Sequence, residues 1–130
     1  MSPKATPQKL QVQVFGRRDS RATQRALRFF SERRVEIVLV DLARKPMAPT
    51  ELRRFAERFG SPALMDRESK VYRDAGLAYL SMDNEAAFER VLADQRLLRL
   101  PLIRSGNHLA IGVDESAWRD IVVAPDQRSG

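Results

Sequence analysis

Hydrophobic and polar residues alternate at the start of the chain and then change to a helical period. The alternation over residues 10–14 predicts a β-strand that ends at Gly16. A helix is expected over about residues 20–32, because apolar residues recur there on one side: Ala22, Ala26, Phe29 and Phe30. Residues 35–40 are almost continuously apolar, which predicts a second strand that is covered on both faces.

The rest of the chain predicts three helical segments, a β-hairpin and a final helix. After a proline-containing turn, Thr50 is the expected N-cap of a helix that ends at Gly60. The later elements follow in order: helices over about residues 70–75 and 84–94, strands over 101–104 and 108–111, and a helix capped by Asp114.

This order of elements predicts an α/β fold of the thioredoxin-like type. A β-α-β unit makes a parallel strand pair with a right-handed crossover, and the closing β-β-α adds antiparallel strands. We therefore expect a four-stranded mixed sheet with helices on both faces. Residues 10–123 should form a single domain between loose tails at 1–9 and 124–130. Gln11 and Gln13 fit less well, because they place amides on a face that helices should cover.

Positive charge is concentrated in the first quarter of the chain. The 130 residues carry a net charge of +6, and residues 1–34 hold nine Lys or Arg against two acidic residues. Such asymmetry points to an anionic partner, which would be nucleic acid, phosphate or an acidic protein face. The alternative is an ordinary solvated surface in which arginine is abundant.

Composition argues against several classes of function. The chain has no cysteine and therefore no thiol chemistry of its own, and a single histidine argues against a transition-metal site. No stretch approaches the roughly 18 apolar residues of a membrane span, and residues 1–8 lack the apolar core of a signal peptide. We expect a cytoplasmic protein without cofactor, metal or membrane association.

The chain resembles the arsenate reductase-like proteins, a family that includes the Spx transcriptional regulators. Phe15-Gly16-Arg17-Arg18-Asp19-Ser20 is similar to the family's opening motif, aromatic-Gly-x-x-x-Cys. Four later segments resemble the family's Pro-Leu-Ser-x-x-Glu-Leu stretch, its middle region, its Arg-Pro-Ile hairpin and its tail: residues 46–52, 66–77, 100–103 and 112–118. The resemblance covers about residues 10–122 and implies the thioredoxin-like fold.

The departures from this pattern concern the family's chemistry. The resemblance places the family cysteine at Ser20 and the second cysteine of Cys-x-x-Cys members at Thr23. A serine hydroxyl is too weak an acid to replace a thiolate unless a base activates it. The single histidine, His108, falls in the predicted hairpin, which argues against a Ser-His pair.

The arginines that hold the oxyanion in arsenate reductases of this family also differ. The resemblance places their positions at Asp66, Leu100 and Ile111, although Arg67 and Arg99 lie next to two of them and could substitute. Pro101 matches the family's cis-proline, which the fold retains whether or not the protein is a catalyst. The combined losses argue against arsenate reduction.

Binding is therefore the favoured function. The start of the first predicted helix is electropositive and could hold a phosphate-like anion, unless Asp19 or Ser20 caps it internally. The candidate surface for an anion or a partner consists of Arg17, Arg18, Ser20, Arg21, Arg25 and Arg28. The resemblance to Spx regulators implies a protein partner, with the transcription machinery as a candidate. An oxidoreductase that depends on an external thiol and non-specific association with nucleic acid remain as alternatives.

Overall fold

The computed structural model describes residues 10–123, and the two predicted tails lie outside this range. The strands are β1 (Gln11–Gly16), β2 (Glu36–Asp41), β3 (Leu102–Ser105) and β4 (His108–Ile111). The helices are α1 (Arg21–Glu32), α2 (Pro49–Phe59), α3 (Lys70–Asp74), α4 (Asn84–Ala93) and α5 (Glu115–Val123). Three short 3-10 helices, Ser61–Leu64, Leu77–Tyr79 and Gln95–Leu97, connect the middle part of the chain.

The four strands form one mixed sheet in the order β2-β1-β3-β4. β1 runs parallel to β2, with Gln11 opposite Glu36, and antiparallel to β3, with Val14 opposite Ile103. β3 and β4 form the closing hairpin. This arrangement confirms the predicted four-stranded α/β fold, and it places the carboxyl ends of β1 and β2 at the same edge of the sheet.

A hydrophobic core lies on each face of the sheet. One face packs against α1 and α5 through a cluster that includes Val12, Val14, Phe29, Phe30, Ile103 and Trp118. The other face packs against α2 and α4 through a cluster that includes Phe15, Leu52, Phe55, Leu64, Phe88 and Leu102. Helices thus cover both faces, as the order of elements predicts.

Two local predictions were wrong. β2 is an edge strand, and its residues are half-buried or exposed, with the Val38 side chain 37% exposed. Its apolar run therefore does not mark a strand buried on both faces. Helix α2 begins at Pro49 after Ala48, so Thr50 lies inside the first turn and is not the N-cap. Proline at the first helical position needs no capped N–H and is already set for helical φ.

The glutamines of β1 mark the part of the sheet that α2 and α4 leave open. Gln11 is exposed and Gln13 is half-buried, whereas Phe15 on the same face is buried beneath α2. Gln13 lies beside Arg104 of β3, whose guanidinium is paired with Glu51 of α2. The α2 face is therefore covered only toward the carboxyl end of β1.

Candidate functional site

Ser20 caps the amino end of α1. Its backbone is extended, and its Oγ accepts a hydrogen bond from the Thr23 N–H at 3.1 Å. The Ser20 N–H donates to the Arg17 carbonyl at 3.0 Å, which closes the turn between β1 and the helix. Such a cap forms because an extended residue with a short polar side chain reaches the unpaired amides of the first turn. The hydroxyl therefore already occupies one donor of the electropositive helix end.

Thr23 stabilises the same turn from the buried side of α1. Its side chain is fully buried, and its Oγ1 accepts a hydrogen bond from the Arg17 N–H at 3.3 Å. A Cβ on Gly16 would lie 2.7 Å from Thr23 Cγ2 and closer still to Oγ1. Gly16 is thus required by the close approach of the strand end to the helix, and Thr23 has a structural role at this position.

We expect Gly16→Ala to lower the free energy of unfolding by about 1–3 kcal/mol, because the added methyl overpacks against Thr23. Thr23→Ala should also destabilise, because it leaves the Arg17 N–H without its acceptor. The double variant should recover part of the sum, since removing the Thr23 side chain makes room for the new methyl. Urea denaturation of the four proteins measures this coupling, and strictly additive losses would contradict the close contact.

Three of the five arginines around α1 are paired with carboxylates. Arg17 pairs with Asp19 at 3.2 Å, Arg18 with Asp41 at 3.5 Å, and Arg25 with Glu115 of α5 at 2.7 Å. Hydrogen bonding from the Arg17 guanidinium, together with its charge, lowers the pKa of Asp19 below its ordinary value. All of these groups are partly exposed, so each pair stabilises the fold only weakly.

Arg21 and Arg28 have no ion pair within residues 10–123 and lie on the exposed side of α1. Both line a shallow hollow of about 290 Å³. Its other lining residues are Asp19, Ser20, Gln24 and Arg25. The structure thus brings four of the six predicted surface residues together, while Arg17 and Arg18 lie outside the hollow. We call the exposed side of α1 that carries Arg21, Arg25 and Arg28 the arginine face.

A second hollow, with charged residues of both signs in its lining, lies beside the segment that leads into Pro101. The Leu100–Pro101 peptide bond is cis, and the Pro101 carbonyl accepts a hydrogen bond from the Gly112 N–H at 2.8 Å. Arg99 packs against Gly112 and, with Arg67, lines a hollow of about 460 Å³. Asp66 and Glu68 line the same hollow and supply negative charge, and Ser20 is not among its lining residues. The two neighbouring arginines therefore converge, but at a different place from the start of α1.

The sequence matches the ArsC family over residues 15–121. The chain belongs to the ArsC family. An ArsC family related protein from Bacteroides fragilis has a TM-score of 0.79 and 14% identity to it, over 88% of this chain and 99% of that chain. The YFFB protein has a TM-score of 0.79 and 18% identity, over 86% and 99%, and an arsenate reductase from Vibrio cholerae has 0.75 and 14%, over 86% and 98%. No curated protein gives a significant match.

This ArsC-family chain shares its fold with an arsenate reductase from Vibrio cholerae. It has no cysteine, however, and therefore no thiol of its own. His108 begins β4 opposite Ser105, whose Oγ donates to the Gln11 carbonyl at 2.8 Å. Because Gln11 begins β1 and Ser20 follows the end of β1, His108 and Ser20 lie toward opposite ends of the sheet. The histidine therefore cannot activate Ser20.

One contact of this ArsC-family chain carries no signal in the sequence. The Gln95 amide accepts a hydrogen bond from the Met47 N–H at 2.7 Å and donates one to the Met47 carbonyl at 3.0 Å. It holds the segment after β2 against the end of α4, beside a hollow of about 300 Å³ that Arg17 and Arg96 also line. Local periodicity could not find it, because 48 residues separate the partners.

In the described part of the chain no cluster of metal-ligating side chains forms, and no helix has the length and apolarity to cross a membrane.

Proposed function

We propose that this ArsC-family protein is redox-inactive and works as a binding or regulatory module, with the arginine face of α1 as its docking surface. The observation that carries the proposal is the state of Ser20. The resemblance places the family thiol there, and the Ser20 hydroxyl instead caps the helix through the Thr23 N–H. With no cysteine in the chain and His108 remote from Ser20, this position supports binding better than turnover.

Charge favours a protein partner with an acidic surface. Arg21 and Arg28 lie seven residues apart on the same side of α1, which separates them by about 10 Å along the helix. Asp19 and Glu115 sit among the arginines and would repel a continuous polyanion. Bases of single-stranded nucleic acid stack on exposed aromatic side chains, and the described part of this surface has none. Discrete carboxylates on a protein fit this pattern of separated cations better than nucleic acid does.

Reversing Arg21 and Arg28 together to glutamate should weaken partner binding by about tenfold or more, because each removes a cation and adds repulsion. The tagged native chain and the variant would serve as baits in the cytosol of the source cells, with recovery quantified by mass spectrometry. The charge-matched control is Arg58→Glu with Arg90→Glu, two exposed positions on α2 and α4 across the sheet. Equal loss with both double variants would contradict a specific role for the arginine face.

An arsenate reduction assay on the purified protein tests the alternative that the chain is an oxidoreductase dependent on an external thiol. Incubated with arsenate and either glutathione or thioredoxin, it should not raise the rate of arsenite formation above that without protein. A rate increase that scales with protein concentration would overturn the redox-inactive assignment. If DNA displaced the captured partner and its affinity fell steeply with salt concentration, that result would instead favour association with nucleic acid.

A further inference from the structure

The outer edge of β2 is open in the described part of the chain. β2 stands at the end of the sheet order and pairs only with β1, through six consecutive residue pairs without a bulge. The four residues between Glu36 and Asp41 are all apolar, and the strand has no proline and no lysine, so the charges that usually protect an edge strand stand only at its two ends. Such an edge is a template for another strand.

Two hydrogen bonds show which backbone groups face outward. The Glu36 N–H donates to the Leu10 carbonyl at 3.1 Å, and the Leu42 N–H donates to the Gly16 carbonyl at 2.8 Å. Both therefore point toward β1. Successive residues of a strand point their N–H and C=O groups to opposite sides. The N–H and C=O groups of Ile37, Leu39 and Asp41 therefore point away from β1. The Asp41 carbonyl is taken by the following turn, which leaves two complete donor–acceptor pairs at Ile37 and Leu39 and one further N–H.

Exposed cations stand at both ends of this edge. Arg34 precedes β2, and Arg44 and Lys45 follow it. None of the three has an ion pair within residues 10–123. Asp41 is already paired with Arg18, whereas Glu36 is exposed and offsets Arg34 at the start of the strand. The edge therefore has an apolar centre and a net positive charge that lies mainly at Arg44 and Lys45.

We propose that the outer edge of β2 binds an extended segment of a partner protein, which joins the sheet as a fifth strand. The segment would have an apolar centre of about six residues, or roughly 20 Å, and an acidic end that meets Arg44 and Lys45. Ile37 and Leu39 supply the main-chain hydrogen bonds, and Arg44 and Lys45 select the acidic end. This surface is separate from the arginine face of α1, so it adds a second mode of recognition to the proposed binding role.

Other occupants fit the charge less well. A second copy related by a two-fold axis would pair β2 in antiparallel fashion and bring Arg34 near Arg44 and Lys45 of the other copy. The first nine residues of the chain contain two lysines, two prolines and no acidic residue, so their chemistry does not match an edge with a net positive charge. An acidic segment from another protein satisfies both the hydrogen bonding and the charge.

A designed peptide tests the proposal on the full chain. The probe is a blocked ten-residue peptide with two aspartates at each end and six alternating valine and threonine residues between them. In ¹⁵N-labelled protein, the amides of Ile37 and Leu39 should shift on titration and exchange at least fivefold more slowly with deuterium. The amides of Val38 and Val40, which point toward β1, serve as internal references. Absence of binding at millimolar peptide, or shifts confined to α1, would overturn the proposal.

Matched peptides and variants separate strand addition from simple charge attraction. A peptide with lysines at its ends should bind at least tenfold more weakly. A peptide N-methylated at all six central residues should lose binding although its charge is unchanged, because neither of its edges can then donate main-chain hydrogen bonds. Arg44→Glu with Lys45→Glu should weaken the aspartate peptide about tenfold, whereas Arg58→Glu with Arg90→Glu should leave it within twofold. Equal binding of the N-methylated peptide would overturn strand addition. Protection of Ile37 and Leu39 in a concentration-dependent dimer without peptide would assign the edge to a second copy instead.

Discussion

Replacing Ser20 by cysteine is expected to create a thiol whose pKa falls from the ordinary value of about 8.5 to about 5–7. The new Sγ would take the position of an oxygen that accepts the Thr23 N–H at 3.1 Å, at the amino end of a twelve-residue helix. Arg21 lines the same hollow and adds positive charge. The helix end and the arginine both favour the thiolate over the neutral thiol.

The pH dependence of alkylation by iodoacetamide measures this pKa. Ser31→Cys is the matched control, because it makes the same substitution at an exposed position near the carboxyl end of α1. There the helix carbonyls disfavour a thiolate, so its pKa should stay at or above the ordinary value. At pH 6.5 the cysteine at position 20 should react about fivefold to tenfold faster, once the lower nucleophilicity of a low-pKa thiolate is included. Coincident titration curves for the two variants would contradict an electropositive site at Ser20.

Replacing Trp118 by alanine should lower the free energy of unfolding by about 3–5 kcal/mol. The Trp118 side chain is fully buried in the core between the sheet, α1 and α5. Its ring centroid lies 5.3 Å from that of Phe29 and 6.0 Å from that of Phe30, so truncation leaves a large cavity beneath two aromatic rings. Urea denaturation followed by circular dichroism would measure the loss, since Trp118 is the only tryptophan and fluorescence is lost with it.

Two controls separate the cavity from other effects of the substitution. Trp118→Phe should cost only about 1 kcal/mol, because the buried Nε1 has no hydrogen-bond partner among the described residues and its removal breaks no bond. Tyr79→Ala removes an aromatic ring that is 92% exposed and should change stability by less than about 0.5 kcal/mol. A loss below 1.5 kcal/mol for Trp118→Ala would contradict its role in this core.

Together these variants address whether the scaffold of the family persists without its chemistry. The turn that would carry a thiol is intact, since Gly16, Ser20 and Thr23 close it through packing and hydrogen bonds. A low pKa in Ser20→Cys would show that the start of α1 still favours a thiolate, although the native chain carries no thiol at this position.

Much of the fold follows from local patterns. Alternation predicts β1, and a helical period predicts α1. Of the predicted caps, Ser20, which was an alternative to Asp19, bonds to the Thr23 N–H and Asp114 bonds to the Ala117 N–H, both at 3.1 Å, whereas Thr50 does not cap α2. These interactions span three residues, so the sequence contains all the information that they need. The same holds for the β-α-β order, which implies a parallel pair and, with the hairpin, a mixed sheet.

Contacts between distant segments could be decided only by the tertiary structure. Apolar residues predict that β2 is a strand, but its place at the edge depends on which strands pair with β1 and β3. Arg25 forms an ion pair with Glu115, which lies 90 residues away in the sequence, and Gln95 hydrogen-bonds to Met47, which lies 48 residues away. The packing of helices on both faces of the sheet selects these partners, and no local period records that selection. The sequence by itself determined the elements, the missing thiol and the excess of positive charge; the tertiary structure determined which arginines are paired, which lie open, and which strand edge is exposed.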